Sequence, residues 1–273
     1  DGSTTQYYLT EIGARASIIE LNSPGGSLSP MPSSSIELTL SGLSVIAGDF
    51  NASPNGNLNL RASKSSSVGI TATGGSMDLS STHLSYYAVG YNCDPNFSPL
   101  SSINPITIAS LSINGRDEDC NGGGQFGLDI DPAGITITGD LTIISGVANI
   151  GDIYVGGDLD LQYEDAIYRS YGGSSKVILN GSGTQQISQA AGAEFFSGGL
   201  EVNKPSGDIT LGTSLDFLGE DLLFIAGTLN FSGNDLVGIG TFTEGSPAPT
   251  FNRSTELFQY SSCSGGTCTI SSD

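Results

Sequence analysis

After Pro132 the chain breaks into apolar runs of three to five residues, mostly with a Gly, Asn or Asp at the corner: Ile135-Thr-Ile-Thr, Leu141-Thr-Ile-Ile, Ile153-Tyr-Val and Leu159-Asp-Leu, then Val177-Ile-Leu, Leu200-Glu-Val, Leu222-Leu-Phe and Leu229-Asn-Phe. Strands so short make a poor sandwich, because each would contribute only one or two inward side chains. They suit a coil in which every side stacks on the same side of the next coil. The landmarks Ile135, Ile153, Val177, Leu200 and Leu222 follow one another at 18, 24, 23 and 22 residues, a drifting period of one coil per step. This pattern predicts an all-β chain with a β-solenoid over residues 133–245.

The first half is strand-rich but less regular. Residues 1–35 carry Tyr7, Tyr8, Leu9 and Ile12, then Ile18, Ile19 and Leu21, before a Ser/Pro/Gly passage around Pro24, Pro30 and Pro32. They read as a short strand or helix and a linker, packed on their own domain or donated as a strand to a neighbouring subunit. Residues 36–132 form a β-rich region: Ile36, Leu38 and Leu40, Leu58 and Leu60, Val68 and Ile70, Met77 and Leu79 alternate with period two. Within it, residues 83–132 read as an elaborated loop or small insert, with Tyr86, Tyr87, Tyr91, prolines at 95, 99 and 105 and the acidic run Asp117-Glu118-Asp119. Residues 246–273 are a C-terminal cap or tail.

The stretch Asn180-Gly-Ser-Gly-Thr-Gln-Gln-Ile, the passage Leu200-Glu-Val-Asn-Lys-Pro-Ser-Gly-Asp-Ile-Thr-Leu and the run Ala226-Gly-Thr-Leu-Asn-Phe resemble the Gly/Thr/Asn-rich β-helical repeats of large bacterial surface adhesins and filamentous-haemagglutinin-like proteins. The resemblance spans about residues 134–243 and lies in pattern more than in fixed motif. It implies an exported β-helical stalk or adhesin.

Eight Lys+Arg against 28 Asp+Glu give a formal charge of −20. That field repels nucleic acid and anionic lipid, attracts divalent cations and favours solubility outside the cell. No apolar stretch reaches the roughly 18–20 residues of a membrane-spanning helix, which argues against direct membrane insertion. The chain begins at Asp1 without Met or a signal-like segment, and so reads as the processed form of an exported, extracellular or cell-surface protein.

Four cysteines allow three pairings. Cys93 with Cys120 and Cys263 with Cys268 are the expected disulfides, because each would tie down a loop-rich segment with little core of its own; the alternatives are free thiols or a metal site. Zinc is disfavoured by the absence of a Cys-x-x-Cys spacing and by a single histidine, His83. Asn-x-Ser/Thr sequons make Asn51, Asn180, Asn230 and Asn252 glycosylation candidates; a fifth, at Asn96, is followed closely by Pro99.

Asp117-x-Asp119-x-Asn121-Gly122 matches the opening of a calcium loop, with oxygen ligands at alternate positions and a Gly for the turn. Leu128 stands where the loop's twelfth residue would be a bidentate acid, so the alternative is a solvated acidic turn. Calcium is the one cofactor suggested, and none is required.

Catalysis finds little support. A Ser-His pair would have to use His83, read here as an ordinary surface residue, and no Gly-x-Ser-x-Gly elbow presents a serine. Gly122-x-Gly124-x-x-Gly127 lacks the strand and helix of a dinucleotide site. Acid pairs such as Asp158/Asp160, Glu164/Asp165 and Glu220/Asp221 could serve a β-helical glycosidase, but neighbouring acids on a strand point to opposite faces. The expectation is a non-catalytic extracellular structural protein, a filament or sheath subunit or an adhesin, whose partners are other copies of itself or a surface carbohydrate or receptor. A carbohydrate- or surface-ligand-binding module, with Tyr86, Tyr87 and Tyr91 clustered on one face, is the alternative, and a β-helical carbohydrate-active enzyme a third.

Overall fold

The structure is a computed structural model that describes residues 6–9, 15–16, 19–30, 37–40, 43–51, 56–62, 70–90, 96–102, 106–117, 126–130, 134–149, 151–162, 166–168, 176–193 and 198–264. Every regular element among them is a strand, and every strand pairing with an established register is parallel. The fold is a β-solenoid. Among the described residues no helix is long and apolar enough to cross a membrane. The chain divides into two compact units, residues 1–136 with 146–149, and residues 137–145 with 150–273.

In the second unit the coils stack on the predicted landmarks: Ile153 pairs with Val177, Val177 with Leu200, Leu200 with Leu222 and Leu222 with Phe242. A second side runs from Leu141 through Leu159 and Ile187 to Leu211. A third column joins Ile209, Leu229 and Phe251, and a fourth Leu215, Leu236 and Phe258. A three-residue strand sends its first and third side chains inward, so Ile153, Val155, Leu159, Leu161, Val177 and Leu179 are all buried. Each coil thus adds one apolar layer to a continuous stack.

Adjacent coils approach at the strand spacing of about 4.8 Å, which leaves little room at the corners. Gly207 shows why glycine stands there. Its φ is +75°, and a Cβ would lie 2.6 Å from the carbonyl carbon of Gly183 in the preceding coil.

The first unit is itself a stack of parallel coils, which the sequence showed only as alternating strands. Leu43 pairs with Ile70 and Ile70 with Leu100 on one side, and Leu58 with Leu84 and Leu84 with Leu111 on the other. The steps are 27, 30, 26 and 27 residues, against 18–24 between the landmarks of the second half. Two sequence expectations change here. The Ser/Pro/Gly passage expected to be a linker is the strand Ile19–Pro30, and Gln6–Leu9 pairs along its end. The passage read as beginning an insert at residue 83 instead continues the strand Ser76–Gly90, and Ile106–Asp117 pairs beside it. Leu84, Tyr86, Leu111 and Ile113 are fully buried there, so this passage is core rather than an excursion.

Candidate functional site

Five acidic residues of the second unit occupy one recurring position. Asp140, Asp152, Asp158, Asp221 and Asp235 each stand one residue before a strand, in the sequences Gly-Asp-Leu, Gly-Asp-Ile, Gly-Asp-Leu, Glu-Asp-Leu and Asn-Asp-Leu. In each, one carboxylate oxygen accepts a backbone N–H from the following coil: Asp158 at 2.8 Å, Lys176 at 3.0 Å, Gln186 at 2.7 Å, Thr241 at 2.8 Å and Leu257 at 2.8 Å, respectively.

At three of these corners the bond is returned. The amide of Leu141 donates to Asp158 O, that of Ile153 to Lys176 O and that of Leu236 to Leu257 O, so consecutive coils are joined by a reciprocal pair. In each of these five bonds the carboxylate accepts from a later coil. The carboxylates act as staples for backbone donors that no strand ladder reaches. Asp235→Ala is expected to lower the unfolding free energy by about 1–2 kcal/mol while Asp235→Asn, which keeps an acceptor, loses less; urea denaturation of the two variants measures the difference.

A buried polar corner lies within the same stack. Lys204 is 2 % exposed, and its Nζ donates to Gly181 O at 2.8 Å, Gly183 O at 2.8 Å and Gln185 Oε1 at 2.7 Å. Gln185 Oε1 also accepts from the Gly181 amide, and its Nε2 donates to the carbonyls of Val155 and Gly157 one coil earlier. Burial holds the Lys204 ammonium below the usual lysine range, with Asp208 and Asp158 pulling in the opposite direction. Gln189 repeats the arrangement, bonding Ala193 O and both backbone groups of Asp216. On the outward side, Lys176 Nζ and Glu201 Oε2 form an ion pair of 2.5 Å between consecutive coils.

The last described corner differs. Glu256 accepts from the amides of Ser254 and Thr255 in its own loop at 2.5 and 2.9 Å and from that of Gly233 on the preceding coil at 3.0 Å. The Ser254 amide, then its own amide and that of Gly233, hold this carboxyl down at about 2.

His83 is half-buried rather than an ordinary surface residue. Its Nδ1 meets Ser110 Oγ and its Nε2 lies 3.5 Å from Ser112 Oγ, both on the neighbouring strand. Both ring nitrogens face hydroxyls, so no carboxylate takes the place that orients the imidazole in a hydrolytic triad.

The aromatic cluster expected of a binding face is split, because Tyr86 and Tyr87 alternate on one strand. Tyr86 is 1 % exposed and Tyr87 43 %; Tyr91 lies outside the described residues. Asp158 and Asp160 flank inward Leu159, with Asp158 committed to Gln186 and Asp160 accepting from Gln162 Nε2 at 2.6 Å. Glu164 and Asp165 lie outside the described residues.

Of the calcium candidates, Asp117 ends the strand Ile106–Asp117, its side chain lying outside the described residues, as do Asp119 and Asn121. Among the described residues no three His, Cys, Asp or Glu side chains gather as a metal site. Cys93, Cys120 and Cys268 also lie outside them; Cys263 sits on the strand Phe258–Ser264 and is not a free thiol.

The sequons separate by their surroundings. Asn180 is exposed at a corner. Asn230 Nδ2 donates to Asp208 Oδ2 at 3.1 Å and Asn252 Nδ2 to Asn230 Oδ1 at 2.6 Å, so these two amides form a ladder across coils. Asn51 ends a strand, and its side chain lies outside the described residues.

No family model, curated protein or solved structure matches the chain. The polar residues that could carry chemistry are distributed along the stack, one corner at a time, and those at the corners are committed to neighbouring coils.

Proposed function

We propose that the chain is a non-catalytic extracellular structural protein, the subunit of a surface filament or sheath, or an adhesin. The observation that carries this reading is the use made of the carboxylates. Asp140, Asp152, Asp158, Asp221 and Asp235 direct an acceptor at the next coil's backbone rather than converging on a cleft. An acyl- or glycosyl-transferring site needs the reverse, two or three such groups aimed at one point. A stack of apolar layers with stapled corners supplies length and rigidity, and its flanks supply surface for contact.

Self-association is the favoured partner chemistry, with Cys93–Cys120 and Cys263–Cys268 disulfides fitting an oxidising, exported location. Calcium at Asp117, Asp119 and Asn121 belongs to the same reading as a cation that lowers repulsion between subunits carrying a formal charge of −20.

Negative-stain electron microscopy of the purified chain, with calcium and again with a chelator, tests the proposal. Regular filaments are the expected result, and their loss in chelator assigns a role to the Asp117 turn. Uniform monomers under both conditions, over a wide concentration range, would move the reading to a surface-ligand-binding module.

A further inference from the structure

The apolar stack of the second unit is unfinished at its last described layer. One coil back, Leu229, Phe231, Leu236 and Phe242 are 2 % exposed or less, whereas Phe251 and Phe258, which continue two of the same inward columns, are half-exposed. Rings already packed beneath them include Phe224, 5.5 Å from Phe251, and Phe242, 5.2 Å from Phe258; Phe251 and Phe258 lie 5.4 Å apart. Leu257 beside them is 58 % exposed.

Among the described residues the backbone ladder also ends here. Asn252 O accepts from Phe231 N and Leu257 O from Leu236 N, so these residues face the coil behind. The backbone groups of a strand residue share one side and alternate with those of its neighbours, which turns the N–H and C=O of Phe251 and Phe258 outward. A ladder of this kind is completed by another strand.

The direction of stacking limits what can complete it. Each strand pairing with an established register is parallel, and the five aspartate staples run one way, from an earlier coil to a later one. A two-fold contact between two such ends would set strands antiparallel, whereas the leading strands of a second copy arrive with the required polarity. Those strands are Gln6–Leu9 and Arg15–Ala16, which pair within their own chain with Ser27–Pro30 and Thr39–Leu40.

We infer that the face formed by Thr250–Asn252 and Phe258–Ser264 docks the leading strands of a second copy, head to tail. This rests on the self-associating reading above and adds the surface and polarity of assembly. The contact is heterologous, so each copy keeps a free docking face and a free leading edge for the next. Pro249 and Leu257 stand where five inner strands have the staple aspartate, so this step lacks that bond and assembly proceeds reversibly with concentration.

Hydrogen exchange of the wild-type chain at low and high concentration, read alongside electron microscopy, tests this. Assembly is expected to slow exchange about tenfold or more in peptides covering residues 250–264 and residues 6–16 together. Leu257→Arg, an exposed position, is expected to abolish assembly with no change in the unfolding midpoint. Filaments that form without protection at 250–264, or that persist in Leu257→Arg, overturn the docking face and leave the filament reading standing. Protection at 250–264 without 6–16 overturns the head-to-tail partner, pointing to tail-to-tail packing or to cover by another segment. Absence of assembly at every concentration overturns both.

Discussion

Lys204→Met is expected to lower the free energy of unfolding by about 2–4 kcal/mol, because it removes three hydrogen bonds and leaves the carbonyls of Gly181 and Gly183 without this donor. The methionine fills much the same volume, so packing is largely conserved and the loss reports the orphaned carbonyls of Gly181 and Gly183, since Gln185 Oε1 keeps the Gly181 amide. Burial already disfavours the ammonium, which sets the pH signature.

Between the lowered folded value and the ordinary lysine value, the unfolded chain holds the proton and the folded chain releases it. Lysine's contribution to stability therefore rises with pH across that window and is complete above the ordinary value. The gap between wild type and Lys204→Met should widen as the solution is made alkaline, where an ion-paired lysine would give the opposite trend. Urea denaturation at neutral and alkaline pH measures both quantities. A neutral-pH difference below about 0.5 kcal/mol would show that water satisfies the corner.

Phe242→Ala should cost more, about 3–5 kcal/mol, the range for removing a fully buried ring from a core that cannot close up. Phe242 is 0 % exposed and contacts the rings of Phe251, Phe258 and Tyr260 at 5.9, 5.2 and 5.7 Å. In a stack where each layer touches only its neighbours, the damage is local. Exchange should rise first in residues 250–264 and last around Val177 and Leu179. Equal loss of protection throughout the second unit would show instead that its coils unfold as one cooperative body.

The solenoid was legible in the second half because its coils are short and leave few residues between landmarks. Ile153, Val177, Leu200 and Leu222, picked out by spacing alone, pair in register. The first half hid the same architecture behind steps of 26–30 residues, in which the excursions between strands outweigh the repeat. Tyr86 misled for a local reason. In a run of Ser, His and Tyr the inward positions carry a polar tip, so alternation looks like a polar loop until Leu84 and Ile113 are seen on the same face.

The corner chemistry divided in the same way. Gly-Asp before an apolar pair was visible as a turn signal, and with the coil period known it also locates the staples. The clamp of Lys204 on Gln185 was not visible. Its partners lie 19 residues apart, and only the stacking of coils brings an isolated lysine beneath the Gly181 corner.

The one-way staples also bear on how the molecule comes to be built. In each of the five pairs the carboxylate is on the earlier coil and the amide it receives on the later. A chain leaving a ribosome or an export channel N-terminus first meets every acceptor before its donor. Each finished turn is a template awaiting the next, and the molecule can lengthen at its leading edge as it emerges, without waiting for its far end.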